Sequence, residues 1–73
     1  MQAKSSPKVR RAVLGLVLYE HPAELSSHDL RREIGDDARG AIADLMEAGL
    51  LRREGDAVRP TRAALNFYRL ELP

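Results

Sequence analysis

Cysteine and tryptophan are both missing from this chain of 73 residues. The absence of cysteine excludes disulfide scaffolds, thiol nucleophiles and cysteine-ligated zinc or iron–sulfur sites, and it fits a reducing cytoplasm. Long apolar runs are missing too: no stretch approaches the roughly 20 apolar residues that a membrane span needs, and residues 1–7 lack the apolar segment of a secretory signal. We therefore expect a cytoplasmic protein without a membrane partner.

Neither sign of charge is in large excess, since 12 Lys and Arg face 11 Asp and Glu for a formal net charge of +1. A hydrophobic fraction of 44% is too high for an intrinsically disordered chain, so one small folded domain is expected. So short a chain without disulfides or metal often gains stability by oligomerisation. The distribution of charge says more than its total, because basic residues gather towards both ends and acids gather in residues 36–48.

The two histidines form no catalytic or metal-binding pattern. His28 and Asp29 are neighbours at a helix start, where adjacent side chains point about 100° apart and cannot pair as a base with its orienting acid. His21 and His28 are far apart and lack the i, i+4 spacing of a helical metal site. We therefore predict that the protein is not an enzyme and uses neither a metal nor another cofactor.

The first helix is predicted from Pro7 to about Glu20. Ser6 is a typical N-cap, and proline at the first helical position has its φ already set. The helix ends before Pro22, because the residue preceding a proline is pushed out of the helical region. Its apolar positions cover more than the stripe of a surface helix, so it is either the central helix of the core or partly faces another chain.

The clearest helix start in the chain lies at Ser26. Its hydroxyl can accept the backbone N–H of Asp29, the Asp29 carboxylate can reach back to the cap, and Leu25 and Leu30 flank the pair as a hydrophobic staple. A second helix over about 27–34 follows.

A tight turn separates this helix from the next. Gly35 is predicted as a left-handed C-terminal residue, and Asp36 is predicted to cap a third helix over about 37–48. Gly49 is predicted to end that helix in the same way, as a left-handed C-terminal residue. Two helices joined by so short a turn must cross steeply, which makes a helix-turn-helix unit.

A hairpin and a last helix complete the pattern. Short extended runs on either side of Gly55-Asp56 predict a β-hairpin with a type II′ turn over about 50–60. Thr61 then caps a final helix over about 62–72.

This order of elements resembles the winged helix-turn-helix superfamily of DNA-binding proteins, in particular its small bacterial and archaeal transcription regulators. The segment LSSHDLRREIG (25–35) looks like the second helix of that family, and IADLMEAGLLRREGDAVRPT (42–61) looks like its recognition helix running into the wing. The resemblance implies an α+β, mainly helical fold: a flexible basic N-terminus (1–6) and one winged helix-turn-helix domain (7–73) with four helices and a short β-hairpin wing.

The resemblance also implies a DNA-binding transcriptional regulator whose third helix enters the major groove of double-stranded DNA while wing arginines contact the backbone. Because Arg52 and Arg53 are adjacent on a strand and point to opposite sides, only one of them can face DNA. The DNA-binding residues expected in the N-terminal segment, the third helix and the wing are Lys8, Arg10, Arg11, Arg39, Arg52, Arg53 and Arg59.

The outward face of the third helix departs from the usual base-reading set, which is Arg, Lys, Asn, Gln, Ser or Thr. It presents Gly40, Ala43, Asp44 and Glu47, with Arg39 as its one strong donor. Such a face suits a basic protein partner, so a winged-helix protein-protein interaction module is the alternative prediction.

The last helix carries more apolar residues than a domain of this size needs, and a contiguous apolar patch usually marks an interface. We predict a homodimer through the first and last helices, with an interface made by Leu65, Phe67, Tyr68, Leu70 and Leu72. In the other interpretation, Leu65, Tyr68 and Leu72 pack on the first helix and the remaining two stay half exposed.

Overall fold

The computed structural model describes the backbone of residues 5–71 and the side chains of residues 5–67. Its architecture is α+β and mainly helical, as predicted, with four helices and three strands in the described residues. In chain order these are α1 (Pro7–Glu20), β1 (Leu25–Ser26), α2 (Ser27–Ile34), α3 (Ala38–Glu47), β2 (Leu51–Glu54), β3 (Ala57–Pro60) and α4 (Arg62–Glu71).

The predicted boundaries of α1 are confirmed. Ser6 Oγ accepts the backbone N–H of Val9 at 3.1 Å, and Pro7 occupies the first helical position. The helix ends at Glu20, because His21, which precedes Pro22, has left the helical region with ψ 134°.

The predicted capping box of α2 is present in both halves. Ser26 Oγ accepts the backbone N–H of Asp29 at 3.0 Å, and Asp29 Oδ2 accepts the backbone N–H of Ser26 at 3.0 Å. These bonds satisfy donors that the first turn of any helix leaves unpaired. Leu30, one residue later, is fully buried and fastens α2 to the core.

The turn between α2 and α3 differs from prediction in two ways. Gly35 has φ +122° and ψ 178°, an extended conformation open essentially only to glycine, rather than the left-handed helical values expected. The expected cap by Asp36 is wrong: α3 begins at Ala38 without a side-chain cap. The reason is that backbone carbonyls of Gly35 and Asp36 already accept the N–H groups of Ala38 and Arg39, at 3.0 and 3.2 Å.

The end of α3 at Gly49 is confirmed. Gly49 has φ +81°, its N–H donates to the carbonyl of Met46 at 3.1 Å, and the N–H of Leu50 donates to the carbonyl of Leu45 at 2.9 Å. This pair of bonds is the Schellman motif, in which two unpaired carbonyls of the last helical turn find donors.

The three strands form an antiparallel sheet in the order β1-β3-β2. Leu25 pairs with Val58, and Arg52 pairs with Arg59. Gly55 has φ +60° whereas Asp56 has negative φ, which is the predicted type II′ rather than the type I′ pattern.

The core lies between the first three helices and the inner face of the sheet. Its buried members are Val13, Val17, Leu30, Ala38, Ala41, Ile42, Leu45, Leu51 and Val58. Helix α4 packs against β3, with Ala64 buried. Helix α3 packs with one face on α1, α2 and β2, and its opposite face is exposed.

Candidate nucleic-acid interface

The chain just before α1 is fastened to the edge of α3. The backbone N–H and the hydroxyl of Ser5 both donate to Oδ2 of Asp44, at 3.0 and 2.6 Å. Arg10 donates to the carbonyl of Ser5, and its Nη1 lies 3.8 Å from the same Asp44 oxygen. Gly40 lies one turn before Asp44, where an added Cβ would be 3.8 Å from that of Ser5. Ser5 and the first turn of α1 therefore lie beside the exposed face of α3.

Two of the four acids around α3 are already paired with arginine. Asp44 faces Arg10, and Asp36 lies 3.5 Å from Arg31. Asp37 and Glu47 are exposed and form no ion pair within the described side chains. Pairing thus lowers the negative charge that the sequence assigned to this face.

The exposed strip of α3 consists of Arg39, Gly40, Ala43, Met46 and Glu47. Arg39 is the one basic side chain of α3. Ala43, one turn further along α3, is small and exposed, so another molecule can come close to the helix backbone there.

Outside the wing, three of the predicted DNA-binding cations are exposed and form no ion pair within residues 5–67. Lys8 and Arg11 lie one turn apart on α1, and Arg39 lies in the first turn of α3. Within residues 5–67 no carboxylate comes within ion-pair distance of any of the three. Arg10 differs from them because Ser5 and Asp44 hold it.

The wing arginines fall into two groups. Arg52 and Arg59 are directly opposite in the register, and both are held by Glu54: Arg52 donates to its Oε2, and Arg59 Nε lies 2.8 Å from its Oε1. Arg59 Nη2 also donates to Glu24 Oε2 at 2.5 Å. The hydrogen bond from Arg52, reinforced by the charges of both arginines, lowers the pKa of Glu54 below its usual range.

Arg53 lies on the opposite face of β2 from Arg52, as strand alternation requires. Its register partner is the core residue Val58, yet the side chain of Arg53 itself is exposed. It forms no ion pair or hydrogen bond with any described side chain.

The predicted dimer residues are described only in part. Leu65 is half-buried, and Phe67 is 57% exposed. The side chains of Tyr68 and Leu70 and all of Leu72 lie outside the described residues. On α1, Tyr19 is 78% exposed. The dimer stays a prediction.

An open groove of about 350 Å³ lies between the end of α1, β1 and α2. Its lining is mainly charged and consists of Glu20, Leu25, Asp29, Arg32 and Glu33. Among residues 5–67, no group of three His, Cys, Asp or Glu side chains is placed to hold a metal ion.

Sequence reasoning missed Ser5 and Glu24 as partners of charged residues. Ser5 is 39 residues from Asp44, and Glu24 is 35 residues from Arg59. For the second contact, the one signal that could have revealed it is the pairing of β1 with β3. Matching Leu25 to Val58 places Glu24 beside Arg59.

No helix in the described part of the chain combines the length and apolar character needed to cross a bilayer. Comparison with models of protein families, with curated proteins and with solved structures finds no match to this chain.

Proposed function

We propose that this protein is a winged helix-turn-helix transcriptional regulator that binds double-stranded DNA. Two helices joined by a tight turn and followed by a hairpin make up the order of elements on which the resemblance rests. The contact that carries the proposal is that of Ser5 and Arg10 with Asp44, because it holds the start of α1 at the edge of α3 and pairs one of the acids of α3 with an arginine.

In the proposed complex, α3 faces the major groove. Arg39 supplies the donor for a base edge, guanine being its preferred partner, and the small residue Ala43 allows close approach to the bases. Lys8 and Arg11 bind phosphates beside the groove, so that most of the affinity comes from counterion release.

The test is fluorescence anisotropy with a labelled 25-base-pair duplex of random sequence, titrated across a salt series. The wild type is expected to bind with a steep salt dependence. In the Lys8→Ala/Arg11→Ala variant, the slope of log K against log salt is expected to become shallower by about 0.9 for each phosphate contact removed. The control is Arg32→Ala, an exposed arginine of the groove beside Glu33, for which the slope is expected to stay at the wild-type value. Absence of binding at low salt contradicts the proposal.

A protein-interaction module is the second candidate, favoured by the exposed and unpaired carboxylates of Asp37 and Glu47. Its support is weaker, because Asp36 and Asp44 already have arginine partners. Binding of a lysine-rich peptide that is lost in Asp37→Asn/Glu47→Gln, together with no binding of duplex DNA, would favour it.

We also propose that the regulator is a homodimer, since a dimer can bind two half-sites of an operator. The exposed aromatic rings of Tyr19 on α1 and Phe67 on α4 support an interface through these two helices.

A further inference from the structure

A row of charged side chains crosses the outer face of the three-stranded sheet. Arg52 of β2 lies opposite Arg59 of β3, and the register of β1 continues to Glu24, which reaches Arg59 at 2.5 Å. Glu54 completes the row by contacting both arginines. We call these four residues, Glu24, Arg59, Glu54 and Arg52, the charge row.

The charge row has a structural cause. Like charges directly opposite on neighbouring strands are destabilising, and Arg52 and Arg59 are such a pair. Glu54 sits between them, and Glu24 lies on the far side of Arg59, so each guanidinium has at least one carboxylate within ion-pair distance. With two cations and two anions, the row has no net charge.

We infer that Glu24 and Glu54 withhold Arg52 and Arg59 from phosphate, so that Arg53 is the wing's contact with the DNA backbone. This inference rests on the proposed DNA-binding function and assigns the roles of its wing residues. A phosphate that approaches Arg52 or Arg59 also meets a carboxylate within ion-pair distance of that arginine, so the attraction is offset. Arg53 projects from the other face of β2 and has no carboxylate partner among the described side chains.

Charge-matched variants separate the two groups of arginines. Arg53→Gln removes an unpaired cation, whereas Arg52→Gln/Glu54→Gln removes one cation and one anion and leaves the row neutral. Glu24→Gln/Glu54→Gln keeps the size of both side chains and leaves the row with a charge of +2.

The measurements are the salt dependence of duplex binding and the salt concentration at which each variant elutes from heparin. Arg53→Gln is expected to flatten the slope of log K against log salt by about 0.9 and to elute earlier, while Arg52→Gln/Glu54→Gln matches the wild type. Glu24→Gln/Glu54→Gln is expected to steepen the slope by up to about 1.8, because two arginines become available, and to elute later. The melting temperature of each variant, including the single variant Glu54→Gln, is measured as well. Variants that are folded at the assay temperature show that a change in binding reflects charge rather than unfolding.

The inference is overturned if Glu24→Gln/Glu54→Gln elutes with the wild type, or if the neutral pair variant loses as much slope as Arg53→Gln. Failure of the proposed function gives a different result: no variant then binds the duplex, while heparin, a polyanion of another kind, still reports whether the two glutamates withhold Arg52 and Arg59.

Discussion

Ser5 directs both of its donors, the backbone N–H and the hydroxyl, at a single carboxylate oxygen of Asp44, which lies 39 residues further along the chain. The bond from the hydroxyl is 2.6 Å long, a length typical of charge-assisted hydrogen bonds. This contact fastens the start of α1 to α3.

We expect Asp44→Ala to release that contact. Because hydrogen bonds to a charged group contribute more than neutral ones, the free energy of unfolding should fall by about 1–2 kcal/mol, and the amide of Ser5 should lose protection from hydrogen exchange. Urea denaturation and exchange measured by NMR check the two effects. Glu47→Ala, an exposed position on the same helix, is the control and should change stability by less than about 0.5 kcal/mol. Equal effects of the two substitutions would contradict a stabilising role for the contact between Ser5 and Asp44.

Ser26→Ala should remove the cap of α2. Loss of an N-cap hydroxyl lowers stability by about 1 kcal/mol, which for a domain of this size lowers the Tm by roughly 4–8 °C. Circular dichroism measures the melting temperature. Ser27→Ala is the matched control, because Ser27 is the first helical residue of α2 and its side chain has no hydrogen-bond partner among the described residues. A smaller loss for Ser26→Ala than for Ser27→Ala would argue against the capping box.

Acid should destabilise the protein partly through Asp29. The backbone N–H of Ser26, followed by its hydroxyl, lowers the pKa of Asp29 below its ordinary value, so the folded state favours the carboxylate. The resulting stability is present above the unfolded pKa of about 3.9 and is lost as the pH falls through the folded pKa. Asp29→Asn keeps an acceptor at this position but cannot titrate. Its unfolding midpoint in urea should therefore fall less than that of the wild type between pH 6 and pH 3; parallel pH profiles would rule out this role.

Two glycine substitutions should change stability in opposite directions. Gly35→Ala places a Cβ at φ +122° and should destabilise the turn between α2 and α3 by roughly 1–3 kcal/mol. Gly15 lies within α1 on an exposed surface, with nothing within 4 Å of an added Cβ, so Gly15→Ala should stabilise the helix by up to about 1 kcal/mol. Urea denaturation of both variants gives the sign. A stabilising Gly35→Ala would mean that the turn tolerates a different conformation.

If the protein is the proposed homodimer, light scattering should give twice the chain mass, and Phe67→Ser should shift the protein towards the mass of one chain. The control is Met46→Ser, which removes an apolar side chain that is 37% exposed on α3, outside the proposed interface. A wild-type protein with the mass of one chain would exclude the dimer at the concentration used.

The fold could be predicted from the sequence wherever its signals are local. The start of α1 at Ser6-Pro7, the capping box of Ser26 and Asp29, and the end of α3 at Gly49 each depend on residues within about five positions of one another. The same reasoning failed at Asp36, because the first N–H groups of α3 bond to backbone carbonyls of the turn, and side-chain preferences do not reveal that geometry.

The candidate site depended far more on the tertiary structure. The sequence by itself determined which residues are basic and that Arg52 and Arg53 point to opposite faces, since alternation along a strand is a property of the backbone. Only the folded chain decided that Glu24 pairs with Arg59 and that Asp44 faces Ser5 and Arg10. Ion pairs depend on distance in space, and strand pairing and helix packing bring together charges that the chain separates by more than 30 residues.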